Sequence, residues 1–226
     1  MKKLLFALLY LLLFCSCQQK SENSKIWKLA VGTYTDTLSK GIYILEIDSE
    51  NLNVEIKDVI ETPSPSFLAF DSNNKNLFAV NELENDATIS RIILENNKWQ
   101  IKSQTFTLGA HPCHVSVDKF GKNVFVANYN GSNFVQFFYD DSLSLNLNLK
   151  STLSGPNQNR QEKSHIHMVY LDENRQRLYV TDLGGDVTLV YPYLYDTRKK
   201  IVLDTTNKMM LSAEIGGGPR HLASTK

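Results

Sequence analysis

The side chains best suited to chemistry in this 226-residue chain are its five histidines, His111, His114, His165, His167 and His221, together with Arg220. His165 and His167 are two apart at what reads as the start of a strand, which would turn both rings to one face. There they could act as general base and helper, or hold a substrate. A metal site would need at least a third ligand and an open position, so none is assigned. A structural role is the competing reading. Arg220 and His221 follow Gly216-Gly217-Gly218-Pro219, which reads as a flexible lead-in. An arginine there could grip a carboxylate or phosphate in two-pronged fashion, or stabilise an oxyanion; a surface arginine in a loop is the alternative. His111 and His114 flank Pro112. The sequence has no Gly-x-Ser-x-Gly nucleophile elbow and no glycine-rich phosphate loop.

These residues belong to a repeat. Pro65-Ser66-Phe67-Leu68-Ala69-Phe70-Asp71, Pro112-Cys113-His114-Val115-Ser116-Val117-Asp118 and Ile166-His167-Met168-Val169-Tyr170-Leu171-Asp172 are three copies of one phrase, and Pro219-Arg220-His221-Leu222-Ala223 begins a fourth. Aligned on Leu68, Val115, Val169 and Leu222, the steps are 47, 54 and 53 residues. Each copy runs from a short alternating strand through a polar turn into a second, nearly all-apolar strand such as Leu77-Phe78-Ala79-Val80 or Val124-Phe125-Val126-Ala127. A run of that kind suits a strand buried on both faces. An amphipathic third strand and a more polar fourth follow, and four antiparallel strands per period of about 50 residues describe a β-propeller blade. A partial unit comes first, with Leu29–Tyr34 as its second strand and Gly41–Ile47 as its third. Gly155–Lys163 reads as a surface loop.

Three residues of each copy sit at repeat positions that bear on a site. Asn81, Asn128 and Asp182 read as strand-end caps that bond the turn backbone. Glu82 follows Asn81 where the other copies carry Tyr129 and Leu183, which marks it for the central funnel, with a solvated carboxylate as the alternative. Cys113 reads as a small packed residue at a strand start. In a propeller the loops leading into successive inner strands meet around the channel, so histidines at one recurrent point would gather round one funnel.

The N-terminus has a different character. Met1-Lys2-Lys3 and the apolar run Leu4–Phe14 form a signal-like segment, too short to span a bilayer as a helix. Ser16-Cys17 after it resembles a bacterial lipoprotein signal. Residues 1–17 are therefore expected to be a signal with lipidation at Cys17, residues 18–27 a polar tether, and residues 28–226 the folded domain. The expected location is the cell envelope, anchored by the lipid alone. The formal net charge is zero, and loss of residues 1–16 would leave about −2. With no basic stripe, nucleic acid is not an expected partner. Cys113 alone remains in the domain, so it holds no internal disulfide.

The phrases Val31-Gly32-Thr33-Tyr34-Thr35, Gly41-Ile42-Tyr43, Val80-Asn81-Glu82, Gly109-Ala110-His111-Pro112-Cys113-His114-Val115, His165-Ile166-His167 and Gly217-Gly218-Pro219-Arg220-His221-Leu222 occur in an order that resembles the seven-bladed propeller lactonases of the bacterial 6-phosphogluconolactonase type, related to the muconate-lactonising enzymes of fungi. The resemblance covers residues 29–222. It implies an all-β fold with about four of seven blades present, so that the chain looks like a truncated member whose remaining blades are missing. It also implies hydrolysis of a sugar lactone or related sugar-acid substrate without cofactor or obligatory metal. His167, with His165, would orient or deprotonate water and Arg220 would meet the oxyanion or an acidic group, while Glu82, His111, His114 and His221 would line the funnel. An envelope location favours an unphosphorylated lactone. A muconate-type cycloisomerase and a non-catalytic surface-binding propeller are the alternative functions.

Overall fold

The computed structural model describes residues 25–225; lipidation at Cys17 lies outside them. The described residues form sixteen strands in four antiparallel sheets and no helix. Blade I is β1 (Ile26–Val31), β2 (Gly41–Asp48) and β3 (Val54–Glu61), and it lacks an innermost strand. Blade II is β4 (Phe67–Phe70), β5 (Asn76–Asn81), β6 (Thr88–Glu95) and β7 (Lys98–Phe106). Blade III is β8 (Pro112–Val117), β9 (Asn123–Asn128), β10 (Asn133–Tyr139) and β11 (Leu143–Lys150). In blade IV, β12 (Ile166–Asp172) and β13 (Arg177–Asp182) precede the long β14 (Val187–Tyr195). One half of β14 pairs with β15 (Ile201–Leu203) and the other with β16 (Met209–Ser212), so the outer strand is split in two.

The doubly buried second strands carry the packing. On β5, Leu77 and Ala79 join Ile42, Ile44 and Ile60 of blade I, while Phe78 and Val80 join Val124, Val126, Val135 and Phe137 of blade III. On β9 the alternation repeats, with Phe125 and Ala127 facing Ile166, Val169 and Val180 of blade IV. Successive side chains of a strand point to opposite faces, so one apolar run feeds two inter-blade cores. The innermost strands β4, β8 and β12 consequently lie side by side.

The polar turns of blades II and III close the same way. Asp71 accepts from the backbone N of Lys75 and Asn76 at 2.9 and 3.1 Å, and Asp118 accepts from Lys122 and Asn123 at 2.8 and 2.9 Å. The Asn76 and Asn123 amides return to the other carboxylate oxygen at 2.7 and 2.9 Å. Trp27 and Leu29 of β1 and Met209, Met210 and Leu211 of β16 are exposed.

Candidate functional site around the channel

Two residues before the repeat anchors stand Ser66, Cys113, His167 and Arg220; one residue before them stand Phe67, His114, Met168 and His221. In blades III and IV the first of these positions is a β-bulge. Pro112 pairs with Asn128 and His114 with Ala127, leaving Cys113 as the extra residue. Ile166 pairs with Asp182 and Met168 with Thr181, leaving His167. A bulge re-aims a side chain without ending the sheet. It also corrects the expectation that His165 and His167 share a face by simple alternation: His165 precedes the strand and His167 sits in the bulge. Both rings nonetheless meet Tyr129.

His167 is the centre of the cluster. Its ring lies edge-on to His221, with centroids 4.8 Å apart, and edge-on to Tyr129 at 5.6 Å. Its backbone carbonyl faces the Cys113 Sγ at 3.3 Å. Burial, reinforced by Arg220 and His221, pushes the His167 pKa down to about 4. His114, packed on Phe67 at 4.2 Å, is pushed down to about 3 by burial and by His221 and His167. His221 is also lowered, by burial and by Arg220. Near neutral pH His114 and His167 are therefore uncharged, and His221 is shifted in the same direction. The Nδ1 atoms of His114 and His167 are buried and have no hydrogen-bond partner among the described residues, unusual for buried polar atoms.

Arg220 brings the positive charge. Its carbonyl accepts from Thr181 Oγ1 at 2.9 Å, and its Nη1 lies 3.3 Å from His221 Nδ1. The glycine lead-in is anchored, contrary to the loose segment the sequence suggested. Asp186 accepts from Gly216 N at 2.7 Å and from Gly218 N at 2.8 Å. Gly216 and Gly218 adopt φ of 77° and 55°, which suits glycine and lets the chain wrap the carboxylate. Arg220 also lines an open groove of 290 Å³ with Gln161, Leu183 and the exposed Arg160.

Across the cluster, Glu82 accepts from the Tyr34 hydroxyl at 2.9 Å. Burial and then the Glu82 carboxylate push the Tyr34 phenol up to about 12. Burial, with Glu82 behind it, likewise pushes the Cys113 thiol up to about 12 against the opposing pull of Arg220. Cys113 thus feels both charged groups, a setting its sequence reading did not give it. Its column in the repeat alignment, shared with His167 and Arg220, was the available signal.

The remaining histidines have other partners. His165 is buried, with Nε2 3.1 Å from Glu162 Oε1 and Nδ1 3.3 Å from the Tyr129 carbonyl. His111 has a φ of 49° and pairs with Glu84 at 2.8 Å and Asn130 at 2.9 Å, contacts that hold it on the rim. Of the expected caps, the buried Asp182 accepts from Ser151 Oγ, Ser164 Oγ, His165 N and Gly185 N at 2.7–2.9 Å, whereas Asn81 and Asn128 donate to the Pro63 and Thr107 carbonyls and not to their own turns. Among the described residues no three His, Cys, Asp or Glu side chains are gathered to hold a metal ion.

Blades of this period, joined through doubly buried second strands around a polar channel, define a β-propeller with its site at the inner-strand starts. The chain matches the lactonase family of seven-bladed β-propellers over residues 28–226, and it belongs to that family. It is 29% identical to the 6-phosphogluconolactonase of Bacillus subtilis over 199 residues, covering 85% of this chain and 55% of that protein. It is 24% identical to a 6-phosphogluconolactonase of Formosa agariphila, covering 84% of this chain and 56% of that protein. The structure of the Pseudomonas aeruginosa periplasmic gluconolactonase superposes with a TM-score of 0.78 at 27% identity, covering 87% of this chain and 58% of that one. The chain thus spans little more than half the length of these relatives.

Proposed function

We propose that the site hydrolyses a sugar lactone, with water adding to the ring carbonyl and the ring C–O bond then breaking to leave a hydroxy acid. The observation that carries this reading is that His167, whose buried Nδ1 has no hydrogen-bond partner among the described residues, lies against His221, which in turn contacts the Arg220 guanidinium, with His167 and Arg220 at one column of the repeat. His167 takes a proton from the attacking water as general base and returns it to the departing ring oxygen. Arg220 stabilises the charge that develops on the carbonyl oxygen. Tyr34, held by Glu82, together with the neutral His114 and with His221, completes a polar wall for the sugar hydroxyls. His165, with both nitrogens against oxygens, stands behind this wall and not in it. His111 belongs to the rim.

The charges favour an unphosphorylated lactone. The Glu82 carboxylate and the Arg220 guanidinium both act on the Cys113 thiol, with opposite sign, whereas a phosphate dianion is best met by cations without a carboxylate beside them. An envelope location through a lipid on Cys17 supports the same substrate, as does the periplasmic gluconolactonase among the similar structures. The test is the initial rate with glucono-δ-lactone, its 6-phosphate and cis,cis-muconate, each corrected for the uncatalysed rate. Hydrolysis of the first is expected to exceed the second. Turnover confined to the phosphorylated lactone would reverse the substrate assignment, and turnover of muconate alone would replace hydrolysis with cycloisomerisation.

A further inference from the structure

Tyr129 is wedged between the two histidines of blade IV. His165 lies flat on its ring, with centroids 4.3 Å apart and planes 20° apart, and His167 meets the same ring edge-on at 5.6 Å and 80°. His165 is itself fixed on three sides. Its backbone N donates to Asp182 at 2.9 Å, its Nε2 meets Glu162 and its Nδ1 meets the Tyr129 carbonyl. His167 differs, because among the described residues no hydrogen bond from another residue holds its Nδ1. The orientation of its ring is therefore set by packing, with Tyr129 and His221 against it. The other groups near it are Cys113 and His114 from β8 and Arg220 from the C-terminal segment. The Tyr129 hydroxyl forms no hydrogen bond among the described residues, so the contact belongs to the ring.

We infer that Tyr129 is a positioning residue for His167, and that Glu162 and His165 form the rigid backing that keeps Tyr129 in place. A stacked, hydrogen-bonded imidazole cannot yield as an open loop would, so the edge contact holds the His167 ring towards the channel. The kinetic consequence rests on the lactone-hydrolase reading; the contact itself does not.

The experiment compares Tyr129→Leu and Tyr129→Phe in the full chain. Leu183 occupies the equivalent place in blade IV, so the repeat already accommodates leucine there. Two readouts are taken: kcat and KM with glucono-δ-lactone, and the NMR titration of the His167 ring. In Tyr129→Leu, kcat is expected to fall roughly tenfold with KM changed by less than about twofold, because the base is misplaced and binding is not. The His167 titration midpoint is expected to move up towards that of an ordinary imidazole as packing over the ring is lost. Tyr129→Phe keeps the ring and is expected to match the wild type in both. An unchanged titration and kcat in Tyr129→Leu would overturn the inference, and so would a Phe variant as impaired as Leu. If the wild-type chain hydrolyses no lactone, the hydrolase reading fails, and the NMR midpoint alone decides the positioning role.

Discussion

Asp186 offers a way to move Arg220 without touching it. Its carboxylate accepts from Gly216 N at 2.7 Å and Gly218 N at 2.8 Å, and the Gln161 amide also bonds it. Asp186→Asn is the cleanest perturbation, because Asp186 has a φ of 56° and asparagine tolerates that conformation. The amide keeps one acceptor oxygen and turns an NH₂ towards the other backbone N–H. One bond is lost and the other loses its charge assistance, a cost of about 2 kcal/mol at this half-buried place. If the lead-in opens in proportion, its open-to-closed ratio rises roughly 5- to 30-fold. The loss should appear in kcat/KM for glucono-δ-lactone, while the urea midpoint of the whole domain moves little. The cycle with Arg220→Ala is decisive: once the guanidinium is gone, Asp186→Asn should cost nothing more. Full activity in Asp186→Asn, or costs that add in the double variant, would refute the idea that Asp186 acts by placing Arg220.

His114 is held neutral with a pKa near 3, below its unfolded value, so the unfolded chain binds the extra proton at acid pH. Its stabilising contribution is complete above the unfolded pKa and is lost as pH falls towards about 3; His114→Phe, which copies Phe67 at the same repeat position, should flatten the decline in urea midpoint between neutral and mildly acid pH. With its thiol raised to about 12, Cys113 should react with iodoacetamide far more slowly than a free cysteine at pH 8, as followed by mass spectrometry, and fast labelling would contradict the burial described for it. Asp182→Ala should destabilise blade IV by about 3–5 kcal/mol in urea unfolding, because four donors lose their shared buried acceptor.

The blade pattern was legible because it is written in periodicity. Leu77-Phe78-Ala79-Val80 could satisfy two cores only as a strand between two neighbours, and the steps between anchors set the repeat. Asp182 was legible as a cap for a local reason, since it accepts from Gly185 N in its own turn, whereas the side chains of Asn81 and Asn128 donate to the Pro63 and Thr107 carbonyls, about twenty residues back. The gathering of His114, His167 and His221 followed from their neighbouring repeat positions, one or two residues before the anchors. What the sequence hid were departures from that regularity. A bulge at His167 breaks the two-residue alternation on which the pairing with His165 rested. The separation of their roles depends on Glu162 and Tyr129, which reach His165 from a loop and from another blade. The anchoring of Gly216 and Gly218 depends on Asp186, thirty residues or more away in sequence. No local pattern encodes such contacts; they appear only when the blades are assembled.

The central claim is that the column holding His167 and Arg220 carries lactone hydrolysis, and the most direct measurement is the rate of glucono-δ-lactone hydrolysis by the wild type, His167→Gln and Arg220→Gln under one buffer condition. The wild type is expected to exceed the spontaneous rate, and each variant to lose roughly 100-fold or more of that excess, the scale of a missing base or oxyanion donor. A wild type no faster than buffer, or variants as fast as the wild type, would contradict it.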